Sequence, residues 1–312
     1  MFSDCPFCHH ERATLSASDQ LTRAGEKREI YRCDECGCYY PRPRMDEVES
    51  LAWLSDLEAH ATAERGGTEL ADPTAPLPAE SVAYRLKRML RPIGFPHDFR
   101  PYLRNRIPMR GKSLDIGTYD GRFCAIMRSM GFDAHGLEPQ DSVARHARER
   151  GLDVHTGAFP DGMPAALESM PFDLISMREV ICYFVDLRKA LEKANAMLSP
   201  GGHCLIKCHQ GNSRYYAVTG DPFFKRFGDN VQAIPTLESM VYWLESTGFD
   251  VIDVTGGVWP YTAPETARHR RWRKCFTAIR NEFYGLSLFG FPLFNLNQAD
   301  GLVLLARKGG DG

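Results

Sequence analysis

Four cysteines raise the first question of chemistry. Cys5-Pro-Phe-Cys8 and Cys33-Asp-Glu-Cys36 form two Cys-x2-Cys pairs, separated by residues 9–32. A reducing compartment keeps thiols free, and two such tight turns can present four thiolates tetrahedrally to one Zn2+. The set is complete without Cys38, His9 and His10, which lie close enough in the chain to substitute for a member. Four thiolates leave no open coordination position. The expected metal is therefore structural, holding together a module too small to bury a sufficient core of its own.

A second constellation begins at LDIGTYDG, residues 114–121. A glycine turn that joins a strand to a helix brings backbone N–H groups and a helix N-terminus to the carboxyl edge of a sheet, where open α/β folds bind ligands. Asp115 and Gly117 begin the turn and Gly121 closes it, while Tyr119 stands where a middle glycine is expected. Glu138, in GLEP, ends the next apolar run, and a carboxylate there can accept both hydroxyls of an adenosine ribose. Further on, Arg178 and Glu179 follow the run FDLISM, and His209 follows HCLIKC. An imidazole titrates near neutrality and can take a proton from a hydroxyl, which makes His209 the candidate base. Glu179 is read as orienting substrate or capping a turn, and Arg178 as an ion-pair partner or a contact to an acceptor carboxylate or phosphate.

These residues need elements to hold them. From Lys112 short apolar runs alternate with amphipathic segments. The pattern predicts strands at 113–116, 133–137, 153–155, 172–177 and 203–208, with helices at 122–130, 141–150, 163–169 and 187–198 between them. Phe123, Ile126, Met127 and Met130 follow helical spacing, and Gly131 stops that helix. Leu187, Ala190, Leu191 and Ala194 repeat the spacing before SPGG. Thr236 caps a later helix, and strands follow at 249–254 and 301–307. Alternation of this kind implies a parallel sheet covered on both faces. The expected organisation is a zinc ribbon at 1–44, a helical bridge at 45–110 and a Rossmann-like α/β domain at 111–312. The bridge carries helical spacing at Val48, Leu51, Leu54 and Leu57, then a Pro/Gly-rich stretch and a second helix from Ser81 to Leu90.

Composition sets the outer bounds. The chain has 312 residues, 43% of them hydrophobic, with a formal net charge of −2. That balance gives no global pull toward nucleic acid or an anionic membrane. The N-terminus lacks a basic stretch leading into an apolar run, and no window offers about 18 uninterrupted apolar residues. A cytoplasmic protein is expected; nothing in the sequence specifies its oligomeric state.

With these motifs in place, the segment from Gly111 to Arg307 resembles the class I S-adenosylmethionine (SAM)-dependent methyltransferases. LDIGTYDG is similar to the family's first motif, GLEP to its acidic motif, FDLISMREVICYF to its fourth-strand motif, and LEKANAMLSPGGHCLIKC to the helix, proline–glycine turn and fifth strand. GFDVIDV and GLVLLARK resemble the closing antiparallel pair of a seven-stranded sheet whose last strand runs antiparallel. DIGTYDG is closest to the (E/D)IGSNDG variant found in methyltransferases of deoxysugar and polysaccharide pathways, some of which carry an N-terminal zinc module. The resemblance implies SAM as cofactor. Asp115, Gly117, Tyr119 and Gly121 would surround its methionine and ribose portion, Glu138 would hold the ribose diol, and Ala158, Phe159 and Asp161 would meet the adenine. It implies a small-molecule or glycan acceptor, such as a sugar, a nucleotide-sugar or a natural-product intermediate, and O-methylation.

The segment between the last two strands, about 258–298, carries a basic helix pattern, ARHRRWRKCFTAIRNEFYG, and an apolar stretch, LSLFGFPLFNL, too short and broken to cross a membrane. It is read as a lid, ahead of an anionic-substrate clamp or peripheral contact with a membrane. Tyr215, Tyr216, Phe223 and Phe224 are read as walls of the acceptor pocket. Base methylation of ribosomal or transfer RNA is the second functional reading, since the arginine-rich 268–280 could track phosphates. The small negative charge and the lack of an NPPY-like motif at SMREVICYF argue against it. A SAM-binding, non-catalytic interaction module is the third.

Overall fold

The computed structural model describes residues 3–22, 25–53, 99–213, 216, 224, 227–257, 296 and 299–310. Two sheets organise them. Near the N-terminus β1 (Ala13–Leu21), β2 (Lys27–Cys33) and β3 (Tyr39–Arg42) form an antiparallel sheet in that order. Each Cys-x2-Cys pair sits in a turn closed by backbone hydrogen bonds. His9 N donates to Cys5 O at 3.0 Å, and Gly37 N donates to Cys33 O at 3.0 Å, with Gly37 at φ 74, a left-handed value that glycine takes without steric cost.

The larger sheet has seven strands. They are β4 (Lys112–Ile116), β5 (Asp133–Glu138), β6 (Asp153–Thr156), β7 (Phe172–Arg178), β8 (Leu198–His209), β9 (Phe249–Gly257) and β10 (Gly301–Lys308). Their order is β6-β5-β4-β7-β8-β10-β9. The first five are parallel to their neighbours, and β10 runs antiparallel between β8 and β9. The helices connecting them include α1 (Phe99–Arg104), α2 (Arg122–Ser129), α3 (Asp141–Glu149), α4 (Ala165–Glu168), α5 (Leu187–Met197) and α6 (Leu237–Ser246). The spacing that predicts α2 and α5 is the spacing that is buried: Phe123 and Met127 in one, Leu187, Ala190, Leu191 and Ala194 in the other. Thr236 caps α6 by accepting from Ser239 N, and the Ser239 hydroxyl answers Thr236 N, a reciprocal box that satisfies otherwise orphaned donors.

One predicted boundary moves. Ser199-Pro200-Gly201-Gly202, expected as a turn before the fifth strand, lies inside β8. There the β7 register slips between Phe172 and Leu174, so the extra residues are absorbed as a bulge. In the bridge, residues 47–53 are helical, started by Asp46 and Glu49, whose side chains each accept from the other's backbone N–H at 2.9 Å. Val48 and Leu51 are exposed. Leu54, Leu57 and the predicted helix at 81–90 lie outside the described residues, as does the lid segment except Leu296. Among the described residues no helix is long and apolar enough to cross a membrane.

The two sheets share one core. Cys5, Phe7, Cys33, Cys36 and Tyr40 pack in the same buried cluster as Leu187, Met240 and Trp243. Phe7 is fully buried, its ring 5.6 Å from that of Trp243 and under the Arg188 guanidinium at 4.3 Å. Backbone bonds stitch the seam: Tyr39 N to Ile234 O at 2.9 Å, Ile234 N to Tyr39 O at 2.6 Å, and Leu187 N to Pro6 O at 2.9 Å. Arg44, also buried, donates to Asp4 O at 2.8 Å, to Asp4 Oδ1 at 3.0 Å and to Val185 O at 3.1 Å. Phe7→Ala should cost about 3–5 kcal/mol, the usual range for emptying a buried aromatic site. Urea unfolding followed by both fluorescence and far-UV dichroism should show one transition at lower denaturant, whereas two separated transitions would mean the sheets fold independently.

Candidate cofactor and acceptor site

The turn between β4 and α2 hangs on β5. Gly117 N and Thr118 N both donate to Leu137 O, at 2.8 and 3.1 Å. Gly117 has φ 69, and a Cβ there would lie 2.3 Å from Val180 Cγ1. Tyr119, at the missing glycine, has φ 53, a left-handed conformation uncommon outside glycine, asparagine and aspartate. The turn thus keeps the glycine backbone without the glycine. Its ring is exposed, while its N–H donates inward to Glu138 Oε2 at 2.9 Å. Gly121, at φ 74, begins α2, and a Cβ there would lie 2.6 Å from Leu152 Cδ1. Gly121 is needed for packing of α2 against the chain leading into β6.

Glu138 is buried at the end of β5. Gln140 N donates to its Oε1 at 3.1 Å, so two backbone donors aim the carboxylate. Each carboxylate oxygen can accept more than one hydrogen bond, so the group fits a ribose diol as well as the turn. The loop after β6 returns to the same place, with Gly157 N donating to Glu138 O at 3.0 Å. Ala158 bridges to Gly162, and the Phe159 ring lies 5.8 Å from Phe184. Asp161 is engaged away from this loop's interior, 2.7 Å from Lys189 Nζ on α5.

Asp115 and Arg178 come together. Asp115 is 2% exposed; its Oδ2 accepts from Arg178 Nη2 at 3.1 Å and its Oδ1 from Ser176 Oγ at 2.6 Å. The guanidinium also lies 4.1 Å from the Phe123 ring centre. A carboxylate this deep needs a partner, and Arg178 supplies it.

Glu179 and His209 also meet. Glu179 has φ 61 and its N–H donates to Lys207 O at 2.7 Å, which turns the side chain back over the β7–β8 edge. Its Oε1 is 2.9 Å from Lys207 Nζ and its Oε2 3.3 Å from His209 Nε2. The His209 ring stands edge-on to Phe227 at 6.0 Å. Phe227 in turn stacks with Tyr216 at 6.3 Å, while Phe224 is buried with Ile30 of β2 and with Ile234, which bridges to Tyr39 of β3. Tyr215 and Phe223 lie outside the described residues. Lys207, Gln140, Ser176 and Phe227 are the participants that sequence reasoning missed. Lys207 was accessible to it, since residues two apart on a strand share a face and His209 was already in view.

At the N-terminal sheet one sulfur from each of Cys5, Cys8, Cys33 and Cys36 lies within 4.8 Å of the other three. Cys5 Sγ is 3.8 Å from Cys36 Sγ, close to the about 3.8 Å between thiolates on a tetrahedral ion with metal–sulfur bonds of about 2.3 Å. Cys38, fully buried, lies 3.7 Å from Cys5 outside that set of four. The four thiols could hold a metal.

A methyltransferase-domain family matches residues 83–254, more than half of the chain. The chain belongs to that family. It is a methyltransferase. Among solved structures it is similar to a chain of the complex between the Haloferax volcanii Trm112 methyltransferase activator and its methyltransferase partner. That likeness has 14% identity, 83% of this chain and 98% of that one covered, and a TM-score of 0.52. A SAM-dependent methyltransferase from Mesorhizobium loti matches at 18% identity over 67% of this chain and 97% of its own, with a TM-score of 0.44. The plantazolicin methyltransferase BamL matches at 14% identity over 84% and 95%, with a TM-score of 0.46. No curated protein matches the sequence.

If the carboxylate that faces the turn also holds a ribose diol, its removal should be felt at the cofactor. Charge-assisted hydrogen bonds contribute about 1.5–3 kcal/mol, so Glu138→Ala should weaken S-adenosylhomocysteine binding about ten- to a hundredfold by isothermal titration. An unchanged Kd would show that Glu138 serves the turn alone.

Proposed function

We propose that this methyltransferase moves a methyl group to a hydroxyl of a small-molecule or glycan acceptor, a sugar, nucleotide-sugar or natural-product intermediate, in the cytoplasm. The observation that carries the reading is the Lys207–Glu179–His209 cluster at the carboxyl edge of β7 and β8, the edge on which the glycine turn and Glu138 also lie. SAM, when bound, supplies a methyl group on a sulfonium, open to in-line attack.

The chain's own groups do the rest. Glu179 facing His209 Nε2 favours the tautomer that keeps the proton on that nitrogen, which makes Nδ1 the basic atom for the acceptor O–H. Lys207 beside the same carboxylate offsets its charge, so Glu179 orients the imidazole and His209 takes the proton. Asp115, Gly117, Tyr119, Gly121 and Glu138 would hold the cofactor from the turn side, with Ala158 and Phe159 toward the adenine. Arg178 acts here through Asp115, holding the floor of the turn. Phe227 and Tyr216 would face the acceptor beside His209.

In the same reading Cys5, Cys8, Cys33 and Cys36 bind one structural Zn2+. Cys33 and Cys36 lie at the end of β2 and in the turn after it, so a closed ion would brace the seam between the sheets.

His209→Ala should leave S-adenosylhomocysteine affinity unchanged and lower turnover about 10²–10⁴-fold, the range for losing a general base. Methyl transfer from labelled SAM, screened across nucleotide-sugars and then ribosomal RNA fragments, checks the acceptor. Product on RNA alone would overturn the proposal, as would full activity of His209→Ala. Elemental analysis should find zinc in the purified protein and lose one equivalent in Cys36→Ser.

A further inference from the structure

A second cluster of metal-binding residue types lies on the larger sheet. Asp133 and His135 project from one face of β5, and Asp153 and His155 from the same face of β6, the outermost strand. The register sets His135 opposite Asp153. One ligand atom from each of His135, Asp153 and His155 lies within 4.8 Å of the others. His135 Nδ1 is 2.6 Å from Asp153 Oδ2, and His155 Nε2 is 3.0 Å from Asp153 Oδ1.

The decisive residue is His135. Its side chain is 7% exposed, with Phe172 packed edge-on at 5.9 Å, yet neither ring nitrogen makes a hydrogen bond. A buried polar atom left in that state is costly, and native interiors rarely tolerate it. Nδ1 approaches the Asp153 carboxylate closely without hydrogen-bond geometry, and a small opening of this contact, to the about 3 Å that separates two ligands of one cation, would admit an ion. On the far side Asp133 Oδ2 lies 3.4 Å from Nε2. A carboxylate there would receive the Nε2 proton once Nδ1 is committed to an ion, the arrangement that orients metal-bound imidazoles.

We propose that His135, Asp153 and His155 bind one borderline divalent cation, Zn2+, Co2+ or Ni2+, with Asp133 positioning His135. Two imidazoles and one carboxylate suit these ions, whereas Ca2+ and Mg2+ call for oxygen ligands. Asp153 and His155 are partly exposed, so the ion enters from solvent and keeps water on its open side. It ties the edge strand β6, paired to β5 over only four residue pairs, to the body of the sheet.

The test is Ni2+ titration of the full-length, zinc-loaded protein by calorimetry, with Co2+ absorption spectra in parallel. The expected result is one saturable equivalent with weak Co2+ bands and no intense thiolate charge transfer, together with a rise in melting temperature. His155→Ala and Asp153→Asn should abolish it, and Asp133→Asn should lower affinity about 10–100-fold. The equivalent should survive His9→Ala/His10→Ala, which removes the exposed imidazoles beside the cysteines. No saturable Ni2+ binding would overturn the proposal, and so would binding retained in both His155→Ala and Asp153→Asn. Zinc that is lost in Cys36→Ser and kept in His155→Ala reads the cysteine cluster separately.

Discussion

The carboxyl end of β5 is the point on which the site depends. Leu137 O receives two N–H groups of the glycine turn, Glu138 receives a third from Tyr119, and Gly157 N returns to Glu138 O. One short stretch of strand thereby sets the turn before α2, the carboxylate that faces it and the start of the loop after β6. Backbone donors have no rotamers to lose, so this geometry exists before any ligand arrives. Beneath it the Asp115–Arg178 pair closes the floor with a charge that could not be buried alone.

The N-terminal sheet belongs to the same mechanical unit. A three-stranded sheet of this size has little apolar area of its own, and Phe7, Tyr40 and the cysteines take their neighbours from α5 and α6. The benefit is mutual, because Ile30 and Tyr39 complete the packing around Phe224, Phe227 and Ile234 beside His209. The four cysteines of the N-terminal sheet and the Lys207–Glu179–His209 cluster are linked through that packing, although Cys5 to Cys36 lie far from the cluster in sequence.

Much of this was legible before the fold. The α/β alternation, the Thr236 cap, the glycine turn and Glu138 each followed from local periodicity or turn chemistry, and the seven strands with the last antiparallel came from the family resemblance. What stayed hidden depends on contacts between distant segments. Nothing in the sequence near Arg178 names Asp115 as its partner, and Phe7 reads as an ordinary residue of a Cys-x2-Cys turn until Trp243 lies against it. Val48 and Leu51 show the reverse error: their spacing predicts a buried stripe, and both are exposed. Periodicity states which side chains share a face, and only the tertiary fold decides whether that face is covered.

The register of the last strands bears on how such an enzyme could change its substrates. Gly301 pairs with Gly257 on β9 and with His209 on β8, so the chain leaves the sheet and re-enters it beside the imidazole. Insertions or deletions between those two glycines would leave every ladder of the sheet, and the glycine turn held by the end of β5, in register. Under the proposed function, a lineage could thereby change the chain length beside His209 without disturbing the turn and Glu138.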